Sequence, residues 1–216
     1  MQYSTGHTVY RNKYKKEVPS VTTILKVLNK PALQKWANGL GFRRQKLDDV
    51  LNASASLGTL FHAGVESYLQ GLYFISCPKN FEEEYKLKLY LNNFIEWKKN
   101  NQLEPIFMEK ELVSDKYGGT VDFYGIFNGK KTVLDFKTSK SHYSSMFLQL
   151  AAYVIMVESE GYEVEQVAIL CCNTKVSVKT MTRKELEPYI EVFKMLVEFF
   201  HKWYDLNIED GWGKIL

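Results

Sequence analysis

The sequence predicts a mixed α/β fold, in which a mainly helical portion (1–103) precedes a βββαββα core (104–216) within a single domain. Three observations support this prediction. Apolar residues between Phe81 and Phe94 recur at helical spacing, and the runs after Pro105 are separated by turn signals such as Asn128-Gly129. An apolar segment at 147–157 lies between predicted strands, as a crossover helix would. We therefore expect a central mixed β-sheet flanked by helices.

The first half is predicted to contain four helices. Ser20 can cap the first, proline begins the second, and Gly71 ends the third, because these residue types favour helix boundaries. Ser54 or Ser56 is expected to cap the third helix. The predicted ranges are 21–28, 31–51 with a break at Gly39 or Gly41, 54–69 and 81–100.

The second half is predicted to contain five strands and two helices. Asn128-Gly129 is a two-residue hairpin signal, Gly161 closes the crossover helix, and Thr182 with Glu185 forms a capping box. The predicted strands are 105–113, 120–127, 131–137, 165–172 and 176–180, and the predicted helices are 141–160 and 182–204.

Composition narrows the class of protein. A hydrophobic fraction of 45% is sufficient for a core, and a net charge of +3 permits nucleic-acid binding without requiring it. The longest apolar stretch is far shorter than the roughly 20 residues that span a bilayer, and no signal-like segment is visible. Three cysteines without a CxxC pair predict no zinc site and no iron–sulfur cluster. We expect a cytoplasmic protein without membrane contact.

Two aspartates and a lysine form the main chemical signal. Asp122 follows a glycine pair, and thirteen residues later Asp135 and Lys137 flank Phe136. Residues two apart on a strand share a face, so Asp135 and Lys137 are expected to lie side by side, next to Asp122 on the preceding strand. Carboxylates can hold a hard divalent cation, and a lysine can orient or deprotonate water. An ordinary hairpin with surface charges is the alternative.

At these residues the sequence resembles the PD-(D/E)XK nuclease superfamily, in the subgroup of RecB-like domains, lambda-type exonucleases and the mitochondrial genome maintenance exonuclease. The resemblance covers most of the chain. It is carried by P-S-V-T-T-I-L at 19–25, G-T-L-F-H at 58–62 with Glu66, G-T-V-D at 119–122, L-D-F-K-T-S at 134–139, and Gln149 with Tyr153. The chain departs from the superfamily name because valine, not proline, precedes Asp122.

A histidine on a predicted helix is the next candidate. Gly58, His62 and Glu66 are four residues apart and form one stripe, on which Gly58 would allow another backbone to come close. A lone histidine on a helix is usually an ordinary surface or core residue. The resemblance, however, implies that His62 binds metal, with Glu66 nearby. Because imidazole suits manganese better than magnesium, we expect Mn²⁺ to support activity, alongside Mg²⁺.

Further candidates surround this core. Glu109 and Glu111 alternate on a strand, and Glu109 matches the family's acidic residue better; solvated charges are the alternative. The resemblance places Gln149 and Tyr153 at the active site or on DNA, whereas a boundary glutamine and a core tyrosine are the simpler interpretation. The predicted phosphate-contacting residues at the start of the crossover helix are Thr138, Ser139 and Lys140.

Two basic clusters lie in the helical half. They consist of Arg11, Lys13, Lys15 and Lys16, and of Arg43, Arg44 and Lys46. They could line a DNA channel or be ordinary solvated faces, and the sequence does not place them relative to the site.

The resemblance implies a metal-dependent deoxyribonuclease, in particular an exonuclease that leaves 5′ phosphates and acts in phage or bacterial DNA replication, recombination or repair. One or two Mg²⁺ or Mn²⁺ ions would be held by His62, Asp122, Asp135 and the carbonyl of Phe136. A restriction-type endonuclease and an inactive DNA-binding module are the alternatives. Strandedness of the DNA, cleavage polarity, partner recombination or replication proteins, and oligomeric state stay open.

Overall fold

The computed structural model describes residues 8–28 and 31–207. A short hairpin and four helices form the first half of this part of the chain. They are β1 (Tyr10–Arg11), β2 (Glu17–Val18), α1 (Val21–Leu25), α2 (Pro31–Phe42), α3 (Leu47–Leu69) and α4 (Phe81–Lys99). The cap at Ser20 is confirmed, since its side chain accepts a hydrogen bond from Thr23 N at 3.0 Å.

The second half contains a five-stranded sheet with a crossover helix and a final helix. The elements are β3 (Leu103–Val113), β4 (Gly118–Phe127), β5 (Lys130–Lys137), α5 (Ser144–Ser159), β6 (Gln166–Cys172), β7 (Val176–Thr182) and α6 (Glu187–Asn207). The strand order is β3-β4-β5-β6-β7, with β5 and β6 parallel and the other neighbours antiparallel. The predicted mixed α/β fold, with helices flanking a mixed sheet, is confirmed.

Helices cover both faces of the sheet. One buried cluster joins the sheet to α1, α5 and α6, and the other joins it to α3 and α4. Every residue of β6 is buried, which is why this strand is a continuous apolar run instead of an alternating one. None of the helices within 8–28 and 31–207 combines the length and the hydropathy of a membrane-spanning segment.

Four predicted helix boundaries were wrong. The chain does not break at Gly39 or Gly41 but at 43–46, where Arg44 takes a φ of 55°. Ser54 and Ser56 lie inside a continuous α3, and Ser54 Oγ donates to the carbonyl of Val50, a bond that serine can make within a helix. Helix α5 begins at Ser144 instead of at residue 141, and α6 begins at Glu187 instead of at residue 182, although Thr182 and Glu185 form the predicted capping hydrogen bonds.

The sheet opens between β4 and β5. β4 and β5 pair from Phe127↔Lys130 to Phe123↔Leu134, and beyond that point β4 stays with β3 while β5 stays with β6. We call this opening the fork. Since strand pairing stops there, side chains from both strands and from the flanking helices can enter it.

The glycine pair at the start of β4 lets two tyrosines approach the backbone. A Cβ added to Gly118 would lie 2.5 Å from the ring of Tyr10, and one added to Gly119 would lie 2.8 Å from Tyr153. The β1–β2 hairpin is therefore held against β4, where Gly118 N also donates to the carbonyl of Pro19. The pair is required by close packing and not by a turn.

Candidate active site

Three side chains with metal-ligating atoms meet at the fork. His62 comes from α3, Glu109 from β3 and Asp122 from β4. Nδ1 of His62 lies 3.3 Å from Oε1 of Glu109 and 3.6 Å from Oδ2 of Asp122. One ligand atom from each residue lies within 4.8 Å of the others. Glu109 takes a φ of 44°, a left-handed conformation that is rare outside glycine and concentrated at functional sites.

The peptide of Phe136 ties this cluster to β5. Its N–H donates to Oδ2 of Asp122 at 2.9 Å, and its carbonyl accepts from Nε2 of His62 at 2.9 Å. Asp122 and His62 thus satisfy the backbone groups of a residue that has no β4 partner. The two residues are positioned by the sheet itself.

Asp135 and Lys137 form a buried ion pair on the adjacent side of the fork. Nζ of Lys137 donates to Oδ1 of Asp135 at 2.8 Å and lies 2.6 Å from Oδ2. Asp135 is 0% exposed, and within the described residues its Oδ2 accepts no hydrogen bond of acceptable geometry. The Lys137 ammonium, which contacts both carboxylate oxygens, therefore balances the charge of this buried side chain.

Burial and neighbouring charges shift the pKa values of His62, Asp135 and Lys137. Burial opposes protonation of His62, but the charges of Asp122 and Glu109 outweigh burial and raise the pKa of His62 to about 9. Burial raises the pKa of Asp135, with Lys137 opposing. Burial also disfavours the charged form of Lys137, yet Asp135 and Asp122 more than compensate, so the pKa of Lys137 is raised. His62 and Lys137 are both cationic at neutral pH.

Tyr153 and Gln149 approach from α5. Nε2 of Gln149 donates to the hydroxyl of Tyr153 at 2.9 Å, which gives the polar break in the apolar helix a partner. Tyr153 is buried, and burial together with the charges of Asp122 and Asp135 raises its pKa well above the usual value. The tyrosine therefore borders the site as a neutral hydroxyl.

Other predicted residues are placed elsewhere. Glu66 accepts from Gln70 one turn later, and Glu109 is the carboxylate that hydrogen-bonds His62. No described atom lies within 4 Å of a Cβ added to Gly58, so the close backbone approach predicted there is absent from the described structure.

The three residues after β5 do not start a helix. Thr138, Ser139 and Lys140 lie in the loop before α5, because that helix begins only at Ser144. Ser139 donates to the carbonyl of Ser141, and Lys140 is exposed. The predicted phosphate contact at a helix N-terminus therefore has no structural basis, although the loop borders Lys137.

Sequence reasoning missed two residues near the site. Tyr10 bonds Thr120 at 3.0 Å between hydroxyls; burial raises its pKa, as do the charges of Glu111 and Glu109. Nδ2 of Asn173 donates to the carbonyl of Ser139 at 2.6 Å and so anchors the loop after Lys137. The glycine pair indicates that something packs on β4, but no sequence signal identifies Tyr10.

The donor set fits a divalent cation. It offers one imidazole nitrogen and the carboxylates of Glu109 and Asp122, with the Oδ2 of Asp135 and the carbonyl of Phe136 beside them. Nitrogen and oxygen donors without thiolate suit Mn²⁺ or Mg²⁺. The predicted ligands are His62, Asp122, Asp135 and the carbonyl of Phe136. In the structure, Glu109 joins His62 and Asp122, whereas Asp135 forms an ion pair with Lys137.

No protein-family model matches the chain, and no curated protein matches it. Among solved structures, the chain is similar to LHK-Exo in complex with dAMP, with 11% identity over 73% of this chain and 95% of that chain. The TM-score is 0.28. A score this low carries no argument about the function of the chain.

Proposed function

We propose that the protein is a divalent-metal-dependent DNA nuclease, specifically an exonuclease that leaves 5′ phosphates. The observation that carries the proposal is the convergence of His62, Glu109 and Asp122 within 4.8 Å, beside the buried ion pair of Asp135 and Lys137. Perturbed charged groups gathered at one opening of a sheet are typical of a hydrolytic site.

Metal binding is assigned to His62, Glu109 and Asp122, and Asp135, which pairs with Lys137, is a further ligand that the resemblance implies. A bound divalent cation would polarise the scissile phosphate and acidify a water molecule. The imidazole favours Mn²⁺ over Mg²⁺ because nitrogen donors suit the softer ion.

Lys137 acts as a cation in this proposal. Its raised pKa keeps the ammonium protonated at neutral pH, so it orients the attacking water and balances phosphate charge instead of removing a proton. Asp135 holds that ammonium at 2.8 Å and fixes its direction. The ion pair is therefore the positioning element of the reaction.

The hydroxyl of Tyr153 and the amide of Gln149 supply neutral polar groups from α5. Because Gln149 donates to Tyr153, the phenolic proton is free to be donated to a phosphate oxygen or a carboxylate. DNA as the substrate, and a role in phage or bacterial replication, recombination or repair, follow from the motif order that the chain shares with RecB-like nucleases.

Digestion of end-labelled DNA tests the proposal. Linear single- and double-stranded DNA are incubated with Mg²⁺ or Mn²⁺, next to covalently closed circles. We expect linear DNA to yield mononucleotides or short products with 5′ phosphates. These products should form faster with Mn²⁺ than with Mg²⁺, and no product should form with chelator. A His62→Gln variant should lose at least about 100-fold in rate, the loss that removing one transition-state interaction commonly produces.

His201 provides the matched control. It is a histidine on α6 whose Nε2 contacts the carbonyl of Lys116. His201→Gln should cut DNA at the wild-type rate. Rapid cutting of circular DNA would show that the enzyme is an endonuclease and not an exonuclease. Full activity of His62→Gln would refute the assignment of the active site.

A further inference from the structure

The turn between α2 and α3 presents an aromatic ring to solvent. Phe42, the last residue of α2, is 91% exposed. The turn is defined by backbone bonds, because the amides of Arg43 and Gln45 both donate to the carbonyl of Leu40, and Arg44 takes a φ of 55°. The ordered turn therefore holds the ring in solvent. Exposing this apolar surface to water is unfavourable, and no described contact compensates for it.

Three cations follow this ring in the turn, and two aspartates, Asp48 and Asp49, come after them in the first turn of α3. The cations are Arg43, Arg44 and Lys46, and all three are exposed. Within the described residues none of them forms an ion pair of 4.0 Å or less, so their charge is available to a partner. An exposed aromatic ring among cations favours a polyanion with flat rings.

A second exposed phenylalanine shows that exposure alone does not create such a surface. Phe81 is 82% exposed at the start of α4, but three glutamates, Glu82, Glu83 and Glu84, follow it. Glu82 and Glu84 pair with Lys86 and Lys88, and Glu83 is buried, so the lysines nearest to this ring are already neutralised. Phe42 and Phe81 are thus both strongly exposed, but Phe42 is followed by cations that have no ion-pair partner among the described residues, whereas the lysines after Phe81 are paired.

Helix α3 connects the turn to the candidate active site. It begins at Leu47 and carries His62 fifteen residues later, about 22 Å away at a rise of 1.5 Å per residue. On the stripe that leads to His62, Leu51 is exposed and the space around Gly58 is open. An extended strand lying along α3 meets no described obstruction at Gly58 before it reaches the site.

We propose that the α2–α3 turn binds single-stranded DNA and directs it along α3 to the site. The inference rests on the proposed nuclease function and names its substrate class. Phe42 stacks on a base, and Arg43, Arg44 and Lys46 contact phosphates. An unpaired strand presents base faces along its whole length, whereas a blunt duplex presents them only at its two ends, so a protruding ring favours single-stranded DNA or a single-stranded end over blunt duplex.

Fluorescence anisotropy tests this with the full chain in chelator, so that binding is separated from cleavage. The probe is a labelled oligothymidylate of about 20 nucleotides, longer than the roughly 4–16 nucleotides of typical single-strand sites. Phe42→Ala should weaken binding about 5- to 100-fold, the equivalent of removing one base stack, and Phe42→Trp should restore it. Phe81→Ala should bind like wild type.

Salt dependence tests the cations. Replacing Arg43 and Arg44 with alanine should lower the slope of log affinity against log salt by about 0.7 for each phosphate that the protein no longer neutralises. Blunt duplex of the same length should bind more weakly than the single strand and should respond little to Phe42→Ala.

The two proposals fail differently. If wild type cuts DNA but Phe42→Ala binds the oligothymidylate like wild type, or no worse than Phe81→Ala, the turn is not a single-strand site and the nuclease function stands. If wild type cuts no DNA with either metal, the nuclease function is refuted, and the substrate assignment with it.

Discussion

Removing Lys137 should affect stability as well as catalysis, because its partner is fully buried. Asp135 is 0% exposed, whereas the side chain of Lys137 is 24% exposed. Lys137→Ala leaves a fully buried carboxylate without its ion-pair partner. Asp135→Asn leaves an ammonium that can still be hydrated. The two variants break the same ion pair with different consequences.

The magnitude follows from burial. Removing one partner of a buried ion pair lowers the free energy of unfolding by about 3–5 kcal/mol. Lys137→Ala should therefore be less stable than wild type by about this amount at pH 8. Asp135→Asn should lose about 1–2 kcal/mol, the value of a hydrogen bond with partial desolvation. A total stability of roughly 5–15 kcal/mol leaves both variants folded, Lys137→Ala with a smaller margin.

The pH dependence has a definite sign. Burial already raises the pKa of Asp135 above its usual value, and Lys137 opposes that shift, so Lys137→Ala raises it further. A carboxyl with a raised folded-state pKa contributes stability that is present below about pH 4 and is lost as pH rises through the folded-state pKa. Lys137→Ala should therefore be closer to wild type at pH 5 than at pH 8.

Urea unfolding in chelator at both pH values measures these differences. The ordering expected at pH 8 is wild type, then Asp135→Asn, then Lys137→Ala. A greater loss for Asp135→Asn at pH 8, or an equal gap between Lys137→Ala and wild type at both pH values, would contradict the buried-carboxylate argument. Asp135→Asn, with its milder stability cost, is then the better inactive control for DNA digestion.

Two glycines and one histidine give the remaining predictions. Gly58→Ala should stabilise the protein by about 0.5–1 kcal/mol, since alanine suits a helix interior better and meets nothing within 4 Å. Gly119→Ala should destabilise it by about 1–3 kcal/mol, since the added Cβ lies 2.8 Å from a buried tyrosine ring. Urea midpoints decide both, and the same sign for the two would contradict the packing. Mn²⁺ affinity, measured by calorimetry, should rise about tenfold per pH unit from pH 6 to 8, because the pKa of His62 is about 9 and a ligand must be unprotonated. An affinity that does not change with pH would show that His62 is not a ligand.

Local chemistry made much of the fold predictable from the sequence. Asn128 and Gly129 both take positive φ values, 48° and 80°, as a two-residue hairpin requires. Thr182 and Glu185 exchange the hydrogen bonds of a capping box. In each case the residues that specify the feature are close in sequence, so no tertiary contact was needed to predict it.

Features that depend on distant contacts could not be predicted in this way. Tyr10 meets Thr120 across 110 positions, and the sequence shows only the glycine that makes room for its ring. The left-handed φ of Glu109 has no local cause such as glycine or asparagine. Its side chain is directed at His62 by the strand pairing around it, which is a property of the assembled sheet.

The fork explains why candidate catalytic groups and fold-defining groups are the same residues. Where β4 leaves β5, the peptide of Phe136 loses a strand partner, and an unsatisfied buried peptide group costs about 1–3 kcal/mol. Asp122 accepts its N–H and His62 donates to its carbonyl, so both residues complete the sheet at its opening. The sheet therefore holds an acid and an imidazole at fixed positions without any loop. A site built in this way keeps its geometry for as long as the strands on either side of the fork stay paired.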